Sequence, residues 1–241
     1  MLPDGTYDLG AETLDELFQM HNGTWDFVIM SDVSSGPANA ESRAESLAAL
    51  VDNYAPIFPP NATALFMVTQ TYRGLTMTTQ GQDPYVDFLA KTREGYNEYK
   101  KALEPLGVKA KVRCCDGQGK TVMYKNTLTL SSLPTFSQQL VDVGQAFLDV
   151  FSSYGLDMFS KLYSPDNIHS STYGAYLQAA IFYCTITGEY PPVLNNEWFE
   201  VARYMEFRDR YQLSYEATPF PTAAEAELLR LAAIDACKKQ V

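Results

Sequence analysis

Three short apolar runs, each bounded by turn-forming residues and parted from the next by a long segment, limit this chain more than any other feature. They are WDFVIM at 25–30, TALFMVT at 63–69 and QQLVDV at 138–143. The first two read as strands buried on both faces, as in a parallel sheet, and the third as a further strand. The stretches between them carry helical patterns and are long enough for crossover connections. A strand–helix–strand–helix–strand–helix order predicts an α/β fold, a three-layer α/β/α sandwich around a mostly parallel sheet. Ligands in such folds gather beyond the carboxyl ends of the strands. Here those ends are Ser31-Asp32, Thr69-Gln70 and Gly144.

The helical segments have readable limits. Residues 11–21 form a short amphipathic pattern that closes at Asn22-Gly23. A helix starting near Pro37 carries Ala44, Leu47, Ala48, Val51 and Tyr54 as its apolar stripe and stops at the prolines of PIFPPN. Asp83-Pro84 supplies an N-cap and a first-turn proline for a helix whose stripe is Tyr85, Leu89, Thr92, Tyr96, Tyr99, Leu103 and Leu106, with Gly107 at its end. Gly144 turns the third strand into the helix QAFLDVFSSYG. The segment 171–187 is a helix closed by Gly188, and with no charge from Ser170 to Gly188 it should be buried around most of its circumference. Residues 196–211 and 222–239 close the chain as helices, the last with Glu225 and Glu227 early and Lys238 and Lys239 late, as the helix dipole favours. Residues 108–133 read as a hairpin or insertion. Within them GQGKT resembles the end of a phosphate-binding loop, but Cys114 stands where that pattern needs glycine, so phosphate binding is rejected.

Charge and cysteine usage narrow the function classes. The 241-residue chain has a formal net charge of −11 and no basic stripe, which argues against nucleic acid as a partner. No apolar stretch reaches the ~20 residues of a membrane span, and the first residues lack the basic and apolar regions of a signal peptide. Asn22-Gly23-Thr24 and Asn61-Ala62-Thr63 match the glycosylation triplet, a weak pointer to secretion. Cys114, Cys115, Cys184 and Cys237 show no metal-ligand spacing, and the two histidines, His21 and His169, are isolated, so neither a metal nor another cofactor is expected. His21 suits a helix end.

The segment SPDNIHSSTYG, 164–174, carries the chemistry. Asp166 and His169, three apart in a loop entering a helix, are spaced for a carboxylate to hold Nδ1 of an imidazole. That is the arrangement by which a hydrolase fixes the tautomer of its general base and steadies the imidazolium. The helix N-terminus opposes positive charge on His169, which makes the carboxylate more important. The same residues also suit a plainer role: Asp166 in a turn, Ser170 or Ser171 as N-cap, and His169 as a surface side chain.

The block LYSPDNIHSSTYGAYLQAAIFYCTITGEYPP, 162–192, resembles the last block of the SGNH hydrolases, the GDSL-type esterases. GTWDFVIMSDVSSGPA (23–38), ALFMVTQTYRG (64–74) and LVDVGQAF (140–147) resemble that family's earlier strands, in the same order and spacing. The resemblance implies a flavodoxin-like sheet and hydrolysis of a small-molecule or carbohydrate ester by a serine nucleophile. It assigns Asp166 and His169 as carboxylate and base, places Gly10 near the oxyanion-hole glycine, and puts Thr69 and Gln70 where relatives carry an asparagine donor. No G-D-S or G-N-S triplet and no G-x-S-x-G elbow is present, so the chain corresponds to the family without its N-terminal nucleophile block. Ser31, at the end of the first strand, is the candidate substitute nucleophile, although serines there commonly cap a turn. A cysteine nucleophile at Cys114 or Cys115 has nothing to place it near His169.

Two expectations follow. One is a serine esterase relative that retains its Asp-His pair and is weak or inactive without the serine. The other is a non-catalytic binding module that uses the same pocket, or self-associates through the Trp25–Met30 strand. That strand becomes an apolar edge when the preceding strands are absent.

Overall fold

The computed structural model describes residues 13–20, 24–33, 35–59, 62–71, 73, 84–106, 140–193 and 220–239. Gly10, His21, the segment 108–133 with Cys114 and Cys115, and the helix expected at 196–211 lie outside these residues.

The protein is α/β. Strands β1 (Phe27–Met30), β2 (Thr63–Val68) and β3 (Leu140–Asp142) form a parallel sheet in the order β1-β2-β3. Phe27 pairs with Thr63 and Met30 with Phe66, while Phe66 pairs with Leu140 and Val68 with Asp142. Around the sheet lie α1 (Leu14–Gln19), α2 (Ala40–Ala49), α3 (Pro84–Leu103), α4 (Val143–Lys161), α5 (Thr172–Thr187) and α6 (Ala223–Lys239). On one side Phe66 of β2 packs against Tyr96 and Tyr99 of α3, at 5.6 and 6.1 Å between ring centroids, and α2 lies beside α3. On the other side α5 runs against β3 and is covered by α6, which also touches α4. Leu65, Val68, Val141, Phe147, Leu177, Ile181 and Leu229 are fully buried among these layers.

The central strand is covered on both faces, but β1 is not, contrary to the reading of WDFVIM. Ile29 is 49 % exposed, so one face of β1 is open among the described residues, whereas β3, equally on the outside of the sheet, is buried at Val141 and Asp142. The third strand ends at Asp142, one residue before its apolar run does. Asp142 already caps α4 by accepting from the Gln145 backbone N–H at 2.8 Å, so Val143 belongs to the helix.

Three helices depart from their patterns: α3 ends at Leu103, so Leu106 of its expected stripe falls in a following 3-10 turn and is 50 % exposed, and α2 and α4 differ more. α2 starts at Ala40, because Asn39 accepts from the backbone N–H groups of Glu41 and Ser42 at 3.0 and 3.1 Å. Its continuation widens into a π turn at Leu50–Tyr54, which rotates the contact face. Leu50 is buried, whereas Ala44 and Ala48, which precede the π turn, and Tyr54 at its end are exposed. α4 does not stop at Gly155. That residue takes φ 80° and ψ −177°, kinks the helix, and lets it resume through the buried Met158 and Phe159 to Lys161.

α5 follows its pattern closely. Ser171 accepts from the backbone N–H groups of Tyr173 and Gly174, and Gly188 ends the helix in the left-handed conformation at φ 71°. Only Ala175, Ala179 and Tyr183 of the helix are exposed, a narrow strip at four-residue spacing.

Candidate active site

The Asp-His segment is a closed loop between α4 and α5. Tyr163 and Ser170 form an isolated antiparallel bridge at its neck. The Ser164 N–H donates to the His169 carbonyl at 2.8 Å, and the Asn167 N–H donates to the Ser164 carbonyl at 2.9 Å. Asn167 turns the chain at φ 60°, a conformation asparagine tolerates better than most residues. Below the loop the Tyr163 ring packs edge-on against Phe147 and Phe159, at 5.4 and 5.2 Å, which roots the loop in the core.

Asp166 uses its two oxygens differently. Oδ1 accepts from the backbone N–H groups of Ile168 and His169, at 2.9 and 3.0 Å, and shapes the turn. Oδ2 lies 2.6 Å from His169 Nδ1. The contact with His169, and then the two backbone N–H groups, hold the Asp166 carboxyl down at about 2, well below the usual carboxylate range. With Nδ1–H donating to Asp166, Nε2 is the basic nitrogen. The His169 side chain is 65 % exposed.

The loop sits at the carboxyl end of β2. Arg73 clasps Asn167 twice: its backbone N–H donates to the Asn167 carbonyl and its guanidinium to the Asn167 side-chain oxygen, both at 3.0 Å. The Tyr163 hydroxyl donates to the Thr71 carbonyl at 2.9 Å. Gln70 donates through its amide to the Ile168 carbonyl at 3.4 Å and accepts from Gln178 of α5 at 3.2 Å. Gln178 also donates to the Ser170 hydroxyl at 2.7 Å. The Gln70 amide is thus engaged with the loop itself. Thr69 Oγ1 is buried with no hydrogen-bond partner among the described residues.

Ser31 lies at the end of the neighbouring strand, and its hydroxyl donates to the Asp32 carbonyl at 3.2 Å. Asp32 builds the turn that follows: its carboxylate accepts from the Tyr99 hydroxyl at 2.6 Å and the Val33 N–H at 2.7 Å, and its own N–H donates to the Tyr96 hydroxyl at 3.0 Å. Among the described residues no hydrogen bond joins Ser31 to His169. The structure therefore brings Asp166, His169 and Gln70 together and places Ser31 one strand away.

Arg73, Asn167 and Gln178 belong to the site without being conspicuous in the sequence. Gln178 had a signal, as the one side-chain amide in an uncharged, mostly buried helix, where a polar group needs a partner. Among the described residues no three His, Cys, Asp or Glu side chains gather as a metal site, and no helix is long and apolar enough to cross a membrane. No family model matches the chain, and neither the curated proteins nor the solved structures give a match.

Proposed function

We propose that Asp166 and His169 are the acid–base half of a serine ester hydrolase site of the SGNH type, acting on a small-molecule or carbohydrate ester. His169 Nε2 takes the proton of an attacking hydroxyl and returns it to the leaving alcohol, while Asp166 keeps Nδ1 protonated and steadies the imidazolium. The supporting observation is the 2.6 Å contact between Asp166 Oδ2 and His169 Nδ1 at the carboxyl end of a parallel strand. The reading requires a serine hydroxyl within reach of Nε2. Labelling with a fluorophosphonate, followed by peptide mass mapping, tests it alongside hydrolysis of p-nitrophenyl acetate. Labelling of one serine that disappears in His169→Asn supports the proposal and names the nucleophile. Wild-type protein that neither labels nor hydrolyses the ester sinks the reading of this chain as a working hydrolase and leaves only the inactive relative expected from the missing serine block.

A second reading is a non-catalytic module that binds a ligand over the same loop. It is favoured by the two backbone bonds of Asp166 Oδ1, which give that carboxylate a structural task independent of catalysis. Unchanged loop geometry and ligand binding in His169→Asn would support it.

A further inference from the structure

His169 is mostly exposed and stands on a loop, a setting in which an imidazole and a carboxylate gain little by pairing and lose side-chain freedom. Something must hold the loop if the pair is to be kept in one geometry. The residues on either side of the histidine are both held. The Ile168 carbonyl accepts from the Gln70 amide at 3.4 Å, and the Ser170 hydroxyl accepts from the Gln178 amide at 2.7 Å. The two glutamines are themselves joined, Gln178 donating to Gln70 at 3.2 Å. One stands just past the end of the central strand, the other in the second turn of a capped helix. Both anchors thus sit on or beside regular elements, which position side chains better than free loops do.

We infer that Gln70 and Gln178 are positioning residues for His169, an amide pair that holds the Ile168 carbonyl before the histidine and the Ser170 hydroxyl after it and so aims its imidazole at Asp166. This inference rests on the acid–base reading of His169 and deepens it. It also assigns Gln70 a task other than the oxyanion donor the family resemblance implied. The chain of contacts is continuous: Gln178 to Gln70, Gln70 to Ile168, and the Ile168 and His169 N–H groups to Asp166. Gln178 closes the ring from the far side through Ser170. Loss of the pair would leave the bonds of the His169 backbone to Asp166 and Ser164 in place but loosen the residues that flank the imidazole.

The double substitution Gln70→Met and Gln178→Met removes both amides together while nearly keeping side-chain length. No half of the pair is left unsatisfied, so the fold should survive. In wild-type protein, nitrogen-15 spectra of the imidazoles should show His169 as the Nδ1–H tautomer, with His21 as the other signal, and carbon-13 titration should place the Asp166 midpoint near the low value its partners impose. In the folded double variant the tautomer preference should be lost and the Asp166 midpoint should rise towards the ordinary carboxylate range. Ester turnover, where measurable, should fall on the order of 10–100-fold in kcat with KM little changed. A folded variant with an unaltered His169 spectrum and an unaltered Asp166 midpoint overturns the inference. Should the double variant unfold, Gln178→Met alone is read by the same two spectra. Wild-type protein that hydrolyses nothing, yet shows the tautomer preference and loses it in the variant, keeps the positioning role and discards the esterase.

Discussion

A β-carbon on Gly144 would stand 2.8 Å from the carbonyl oxygen of Thr69, so the first turn of α4 and the end of β2 touch where only glycine fits. The same β-carbon would also meet the tip of Leu89. The leucine can move, but the backbone oxygen cannot without shifting the strand that leads to Gln70. Gly144→Ala should gain up to ~1 kcal/mol in helix propensity and lose roughly 1–3 kcal/mol to overpacking. A fall in the urea midpoint is the expected net result, and a rise would show that the strand end yields easily.

Gly155 presents the opposite case. Nothing lies within 4 Å of a β-carbon built there, yet its φ is 80° and its ψ −177°. That backbone region is essentially confined to glycine. Gly155→Ala should therefore cost about 1–3 kcal/mol through backbone strain alone. Because the neighbourhood is open, Gly155→Ser should cost nearly the same as alanine. A serine variant much worse than alanine in thermal unfolding would mean that space, and not conformation, sets the penalty.

Glu225 and Asp166 should contribute to the acid limb of stability, beside Glu227, which Arg230 also holds low. Glu225 is held down at about 2, first by the Lys161 ammonium 2.6 Å away and then by the Thr222 N–H, while Asp166 is held at about 2 by His169. Both values are lower in the folded chain than the ordinary 4.5 and 3.8, so the unfolded chain binds protons first as pH falls. Their stabilisation is complete above those ordinary values and is lost as pH drops from about 4.5 to about 2. Chemical denaturation at a series of pH values should show this loss, with a shallower slope in Glu225→Gln. An identical slope in that variant would remove Glu225 from the account.

Phe147 supports the loop from below. It is fully buried and meets the Tyr163 ring at 5.4 Å. Phe147→Ala should cost about 3–5 kcal/mol, the range for a deleted core aromatic. It should also weaken protection of the amides at 163–170 against hydrogen exchange more than those of α2. Uniform loss of protection across the chain would show that the cavity acts globally.

Some of this architecture was legible and some was not, for reasons tied to particular residues. α5 announced itself through Ser171, Gly188 and the uncharged run between them, because caps and burial are local facts. The parallel sheet followed from apolar runs too far apart to form hairpins. The α2 stripe was misread in two ways: Ala44 and Ala48 are exposed in the regular helix, for which no structural reason is evident, and beyond them a π turn at 50–54 breaks the 3.6-residue period that would have placed Tyr54 inside. Gly155 looked like a helix stop because a pattern cannot show that burial of Met158 and Phe159 lets the helix resume beyond it. The Asp166–His169 contact was visible as a three-residue spacing. The hydrogen bond from Gln178 to Gln70 spans 108 positions and could only come from the fold. Thr222 and Glu225 do have capping-box spacing, and the same glutamate also accepts from Tyr173 at 2.9 Å, a tie between helices that charge patterning does not reveal.

The covering of α5 by α6 has a temporal side. Synthesis runs from the first residue to the last, and residues 223–239 leave the ribosome well after 172–187. Throughout that interval the nascent chain displays a helix with no charge to keep it apart from its neighbours. A chaperone that shelters apolar helices during that interval should therefore improve the yield of crowded expression more than one that acts on completed chains.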